Sequence, residues 1–114
     1  MHNKDDLKIL MDQLVKEIYK NTKQFPKEEM YGITSQIRRS SLSILLNYIE
    51  GYARQRKQVL KNFLEISYGS LKETRYLLYL SCHLQYINKN KYTQLEKIAD
   101  KIGAMLWGIL KTLR

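Results

Sequence analysis

The chain has 114 residues, with 20 lysines and arginines against 11 aspartates and glutamates, a formal net charge of +9 and one cysteine. This length predicts a single domain over residues 1–114, large enough to bury a core without disulfides or metals. The lone Cys82 excludes an internal disulfide, and no apolar run reaches the roughly 20 residues of a membrane span. The first residues lack the apolar stretch of a secretory signal, so we expect a cytoplasmic protein with no membrane contact.

Apolar residues recur every three or four positions along the chain, which is the period of amphipathic helices. The first helix carries such a stripe at Leu7, Leu10, Met11, Leu14 and Ile18. We expect Pro26 to end it, because proline cannot donate inside a helix and disfavours the helical conformation in the preceding residue.

The second helix is predicted from near Ile33 to about Arg54, and it has two apolar seams. The first seam consists of Ile33, Ile37, Ile44, Tyr48 and Tyr52. The second seam lies well round the helix and consists of Leu42, Leu46, Ile49 and Ala53. One apolar stripe of roughly 100° is enough for a bundle helix, so the second seam predicts a subunit contact. The alternative is a central helix that is flanked on both sides within one chain.

The third helix is predicted to follow a polar link at 55–57 and to extend to about Tyr86. One side should be core: Val59, Leu60, Phe63, Leu64, Ile66, Leu71, Leu77, Leu78 and Leu84. The other side interleaves cations with aromatic rings: Lys57, Lys61, Tyr68, Lys72, Arg75, Tyr76, Tyr79 and His83. Such a face is typical of single-stranded nucleic acid binding, in which bases stack on rings and phosphates meet cations. Alternatively, the tyrosines pack under lysine side chains or in a subunit contact.

A turn is predicted at 88–90, where asparagines favour turns and helix caps. The fourth helix follows with a stripe at Tyr92, Leu95, Ala99, Ile102, Leu106, Ile109 and Leu113. No segment alternates with the period of a strand. We therefore predict an all-α fold, an up-down-up-down four-helix bundle that assembles as a homo-oligomer.

The sequence contains few motifs that are typical of catalytic or cofactor-binding sites. Its five glycines are scattered, so no phosphate-binding loop is present. Cys82 and His83 are neighbours whose side chains point about 100° apart on a helix, which excludes a nucleophile–base pair. Asn47 and Glu50 share a face and could form a polar contact between helices, but one carboxylate alone is no catalytic site. We expect a non-enzymatic protein with no cofactor and no metal.

A family resemblance is carried by residues 25–40, FPKEEMYGITSQIRRS, and extends over essentially the whole chain. It continues at Ser43, Ile44, Asn47, Glu50, Gly51, Tyr52, Arg54, Phe63, Leu64, Ile66, Gly69, Ser70, Leu71, Glu73 and Leu84 to Ile87. The chain closely resembles the bacterial four-helix-bundle proteins of intervening sequences in 23S ribosomal RNA genes. The resemblance implies a ring-shaped homopentamer without established enzymatic activity. A related bundle, the accessory protein of diversity-generating retroelements, is similar in shape, binds nucleic acid and works with a reverse transcriptase.

The sequence departs from the family pattern in the second helix. Leu45, Leu46, Tyr48 and Ile49 are bulky where proline and small residues are common, which removes an expected kink beside the proposed subunit contact. Ala53 and Gln55 stand where glycines are common, so the link to the third helix should be stiffer.

Two functions follow as hypotheses. In one, the chain is an accessory module that binds RNA or DNA through phosphate contacts, largely without regard to sequence, and it works with a reverse transcriptase or another protein. The residues expected to bind are the cations Arg38, Arg39, Arg54, Arg56, Lys57, Lys61, Lys72 and Arg75 and the rings of Tyr68, Tyr76 and Tyr79. Arg39 has a competing structural role, as a partner of Glu50 or of a neighbouring chain. In the other hypothesis, the oligomer is a protein-interaction scaffold whose charge serves only solubility.

Overall fold

The computed structural model describes the backbone of residues 4–114 and the side chains from Asp6 onward. This part of the chain forms four α-helices and one 3-10 turn, with no strand. The helices are α1 (Lys4–Thr22), α2 (Ile33–Ala53), α3 (Lys57–His83) and α4 (Lys89–Thr112), and the 3-10 turn is Lys27–Glu29. The all-α prediction is therefore confirmed. None of these helices is both long and apolar enough to cross a lipid bilayer.

The helices pack around a common core. α1 lies against α2 and α4, and α3 also lies against α2 and α4, while the backbones of the diagonal pairs are farther apart. The stripe predicted for α1 supplies the core residues Leu7, Met11, Leu14 and Ile18, and α4 supplies Leu95, Ala99, Ile102 and Leu106. The molecule measures 43 × 28 × 19 Å, and its long axis matches the length of about 40 Å expected for a helix the size of α3.

Small hydroxyl side chains fill the interface between α2 and α3. Three contacts cross it: Ser40 Oγ to Thr74 Oγ1 at 2.7 Å, Ser43 Oγ to Ser70 Oγ at 2.8 Å, and the Ser67 hydroxyl donating to the Ile44 carbonyl at 2.7 Å. At the end of α2, Gly51 lets the backbones approach closely, since a Cβ there would lie 3.0 Å from Cβ of Phe63. The serines and threonines thus act as core residues at this interface.

The observed core of α3 differs from the predicted one, because it includes some of these hydroxyl residues. The buried residues of α3 are Leu64, Ser67, Leu71, Thr74, Leu77, Leu78 and Ser81. Ile66 and Leu84, which were expected inside, are exposed, while Val59, Leu60 and Phe63 are only half-buried. Hydrophobicity alone assigns serine and threonine to the surface, so the sequence prediction did not include the three small polar residues of this buried stripe.

The two seams of α2 have different environments. Ile37, Ile44 and Tyr48 of the first seam are buried, as predicted. In the second seam, Leu46 and Ile49 are exposed by 52% and 42%. Of its remaining members, Ala53 is exposed and Leu42 is half-buried. Although α1 and α3 both pack against α2, the described part of the chain leaves most of the second seam uncovered.

The third helix ends at His83 rather than near Tyr86. Gln85 adopts a left-handed conformation with φ of 66°. The amide of Tyr86 donates to the Ser81 carbonyl at 2.8 Å, and the amide of Gln85 donates to the Cys82 carbonyl at 3.0 Å. This pair of bonds is a Schellman motif, which closes a helix and reverses the chain. Asn88 then caps α4 by accepting a hydrogen bond from the Lys91 amide at 2.7 Å, so α4 begins inside the predicted turn.

Glu29 joins three segments at one end of the bundle. Its Oε1 accepts a hydrogen bond from the amide of Ile33, the first residue of α2, at 3.1 Å. Its Oε2 accepts from the hydroxyl of Tyr86, in the link between α3 and α4, at 2.8 Å. The Phe25 ring packs against Tyr86 with centroids 5.3 Å apart. A Cβ on Gly32 would lie 2.5 Å from Glu29 Oε1, so this glycine makes room for the carboxylate.

Candidate nucleic-acid interface

Four side chains, from α3, from α4 and from Arg114 just after α4, form a ladder of charged and aromatic groups, here called the α3–α4 ladder. The Lys72 ammonium lies 5.2 Å from the centre of the Tyr68 ring, one helical turn away. The Tyr68 and Trp107 rings are 6.0 Å apart, and the guanidinium of Arg114 lies 4.7 Å from the centre of the Trp107 ring. The ladder thus carries two cations at its ends and two rings between them.

A second row of rings, here called the tyrosine row, follows the same helix. Tyr76 and Tyr79 have ring centroids 6.1 Å apart, and Tyr79 stacks with His83 at 6.2 Å and an interplanar angle of 22°. Tyr76 is 59% exposed and Tyr79 is 52% exposed. The alternative of rings packed under lysine side chains therefore fits Tyr68, which Lys72 covers, and does not fit Tyr76 or Tyr79.

Trp107 and Arg114 belong to the α3–α4 ladder, and the sequence prediction did not name them. The sequence prediction for the fourth helix names only its apolar stripe, and Trp107 lies outside that stripe. Its position in the sequence indicates exposure, because Trp107 directly follows the core residue Leu106 and therefore points about 100° away from the core. Arg114 comes seven residues later, on the same side as the ring.

The cations at the α2–α3 link reach outward, as predicted. Arg54, Arg56 and Lys57 are all exposed. Arg54 lies 3.4 Å from the Glu50 carboxylate and 5.4 Å from the centre of the Phe63 ring. Arg56 and Lys57 form no ion pair with any described residue. Lys61, one turn into α3, is half-buried and likewise has no ion pair within the described part of the chain.

Arg75, one of the predicted binding cations, is paired with acidic residues of the same chain. Its guanidinium forms an ion pair with Glu96 and lies 3.5 Å from Asp100. These carboxylates are spaced by four residues on α4 and face α3 together. Because both partners are already present in the chain, Arg75 serves the contact between α3 and α4, and its charge is largely compensated.

The neighbouring cations Arg38 and Arg39 have different surroundings. Arg38 Nε donates to the Thr22 hydroxyl at 2.8 Å, and the guanidinium lies 4.9 Å from the centre of the Tyr19 ring, so Arg38 links α2 to α1. Arg39 is exposed and lines a groove of about 360 Å³ between α2 and α3. The predicted pairing of Arg39 with Glu50 is wrong, because Glu50 pairs with Arg54. The predicted interhelical contact of Asn47 is also wrong, since its amide donates to Ser43 in α2.

Among the described residues, no three histidine, cysteine or acidic side chains lie close enough together to bind a metal ion. Cys82 is half-buried and forms no disulfide. The described surface around α3 offers stacking surfaces and positive charge.

Comparison with known proteins assigns the chain to a family. A solved structure from Bacteroides thetaiotaomicron VPI-5482, a protein of unknown function from the S23 ribosomal protein family, superimposes with a TM-score of 0.83. It is 26% identical, and the similarity covers 92% of this chain and 98% of that one. No protein with a curated description is significantly similar. The profile of the 23S rRNA-intervening sequence protein family matches residues 6–108, and the chain therefore belongs to that family.

Proposed function

We propose that the protein is a non-enzymatic nucleic-acid-binding accessory module that works as a homo-oligomer, with the pentamer that the family resemblance implies, built from up-down-up-down bundles. The observation that carries the proposal is the pair of exposed aromatic rows on α3 and α4. The rings of Tyr76, Tyr79 and Trp107 are exposed and lie outside the core cluster. Base stacking on such rings stabilises binding by about 1–3 kcal/mol per base.

In this proposal the two aromatic rows and the α2–α3 link contact different parts of the nucleic acid. Bases stack on Trp107, Tyr76 and Tyr79, and phosphates meet Lys72 and Arg114 beside the rings. Arg56 and Lys57 add charge at the link. Rings accept any base and phosphates carry no sequence information, so the binding should favour single strands and be largely indifferent to sequence. An enzyme that acts on nucleic acid, such as a reverse transcriptase, is the matching class of protein partner.

The test is titration of labelled single-stranded RNA and DNA at two salt concentrations. We expect the logarithm of the affinity to fall linearly with the logarithm of the salt concentration, because cations displace counterions from the phosphates. Replacing Arg56 and Lys57 with Gln should weaken binding and flatten the salt dependence. The absence of binding by the unmodified protein at low salt would contradict the proposal.

The aromatic contribution is tested separately. The double variant Tyr76→Ala and Tyr79→Ala should bind single strands about tenfold or more weakly, given the usual strength of base stacking. Tyr31→Ala is the matched control, because Tyr31 is 91% exposed and has no ring contact with a described residue. Equal losses in the two proteins would show that the tyrosine row is not a stacking surface.

The second candidate is a protein-interaction scaffold, and the uncovered second seam of α2 favours it. If nucleic acid is not bound at low salt, this candidate is the better one, and the positive charge then serves solubility.

A further inference from the structure

A cleft of about 330 Å³ lies where the end of α1, the 3-10 turn and the start of α2 meet. Three cations line it, Lys23, Lys27 and Arg38, and no carboxylate does. None of the three forms an ion pair with a described carboxylate. Positive charges gathered around one cleft repel each other, so an anion bound there would remove unfavourable electrostatic energy.

Arg38 is already held in position for such an anion. Its Nε donates to the Thr22 hydroxyl at 2.8 Å, and Nη2 lies 3.5 Å from the Tyr19 carbonyl oxygen. A guanidinium has five N–H donors in a rigid fork, so donors remain for a ligand after these two contacts. Because the side chain is fixed before binding, little conformational freedom is lost when the anion arrives.

The wall of the cleft also contains an unpaired hydroxyl. Thr34 is only 7% exposed, and its Oγ1 is the one buried side-chain oxygen or nitrogen of the described residues that has no hydrogen-bond partner. Buried hydroxyls are normally satisfied, and each exception calls for an explanation. Thr34 lies in the first turn of α2, where the helix dipole also favours negative charge.

We propose that this cleft binds the phosphate group of a ligand about the size of a single nucleotide. The three cations match a phosphate dianion, and the Thr34 hydroxyl supplies a further donor. Phe25, Pro26 and Met30 give the same cleft an apolar side for the rest of the ligand. Its volume lies near the lower end of the roughly 300–1,000 Å³ that small-molecule sites occupy. The phosphate could belong to a free mononucleotide or to the 5′ end of a strand.

The first experiment is calorimetric titration of the full chain at low salt with inorganic phosphate, adenosine 5′-monophosphate and adenosine. Phosphate and the nucleotide should bind, and adenosine should not. A short RNA with a 5′-phosphate that competes with the nucleotide, while its 5′-hydroxyl counterpart does not, would identify the strand end as ligand. Failure of both RNAs to compete would identify the free nucleotide. The proposal is overturned if neither phosphate nor the nucleotide gives a saturable signal.

The second experiment uses variants of the wall. Thr34→Val keeps the shape of the side chain and removes the hydroxyl, so it should weaken nucleotide binding about tenfold. In the absence of ligand it should raise the melting temperature, because an unsatisfied buried group has been removed. Lys27→Gln should weaken binding about threefold, since one exposed charge contributes modestly. The matched control is Lys97→Gln, an exposed lysine of α4 outside the cleft.

Unchanged nucleotide affinity in Thr34→Val overturns the proposal even if the variant is more stable, because the hydroxyl would then be only a packing defect. The cleft shares no residue with the aromatic rows, so the double variant Tyr76→Ala and Tyr79→Ala should bind the nucleotide normally. The phosphate cleft and the stacking surface can therefore fail independently of each other.

Discussion

At the scale of single residues, Glu29 holds one end of the bundle together. One carboxylate oxygen accepts from the first amide of α2, and the other accepts from the Tyr86 hydroxyl beyond α3. It thus satisfies an amide that α2 itself cannot pair, as a side-chain cap does, although it lies four residues before Ile33 rather than at the usual cap position. Gly32 occupies that position because any Cβ would meet the carboxylate.

Gly32→Ala should therefore destabilise the fold. The new methyl group displaces the Glu29 carboxylate, and loss of a helix cap typically lowers the free energy of unfolding by about 1 kcal/mol. Gly69→Ala is the control, because Gly69 lies inside α3 and a methyl group there would meet nothing within 4 Å. At that position alanine should raise the free energy of unfolding by roughly 0.5–1 kcal/mol. Urea denaturation of both variants measures the difference, and a loss of stability in both would contradict this account.

The contact between Tyr86 and Glu29 also predicts an alkaline pH dependence. The hydrogen bond to Glu29 raises the pKa of Tyr86 above its usual 10.0, and burial and the nearby charges of Glu29 and Glu28 raise it further. A raised pKa means that this contribution to stability is complete below the unfolded value and is lost as pH rises through the folded value.

Tyr86→Phe should therefore be less stable than the unmodified protein at neutral pH, because Glu29 loses a donor. Its stability should fall less steeply above the usual tyrosine pKa of 10.0. Denaturation curves at neutral and alkaline pH provide the measurement. If the stability of the two proteins changed with pH in parallel, this hydrogen bond would not be the cause of the loss of stability at alkaline pH.

At the scale of elements, the end of α3 is held in an unusual way by a glutamine. The left-handed position of a Schellman motif is usually glycine, because a side chain there crowds the following carbonyl. Gln85→Gly should raise the free energy of unfolding by about 1 kcal/mol. The same substitution at Gln94, an exposed residue inside α4, should lower it by about 1 kcal/mol. Thermal melts of both variants test the expected opposite signs.

The helices were predictable from sequence to a greater extent than their contacts. Periodicity placed α2 almost to the residue, and Asn88 marked the start of α4. Ser67 and Thr74 were not recognised as core residues, because their burial depends on hydrogen bonds to α2 that only the packed pair provides. Arg75 was assigned to the surface for the same reason, since its acidic partners belong to another helix.

At the scale of the whole molecule, the second seam of α2 predicts how copies of the chain associate. Leu46→Asp should dissociate the oligomer, because it would bury an unpaired charge in the contact. Ile66→Asp is the matched control, as Ile66 on α3 is also 52% exposed and lies outside the seam. Light scattering gives the mass of each protein. A monomeric unmodified protein would contradict the assembly, and dissociation only in Ile66→Asp would place the contact on α3.

The hydroxyl interface between α2 and α3 also has a consequence for the order in which the chain folds. These two helices form the most extensive helix pair, and only residues 54–56 separate them in sequence. Closing so short a loop loses little entropy, so we expect contacts between α2 and α3 to form early and to define a local folding nucleus. Substitutions at this interface should then slow folding, whereas substitutions where α1 meets α4, the sequence-distant pair, should mainly accelerate unfolding.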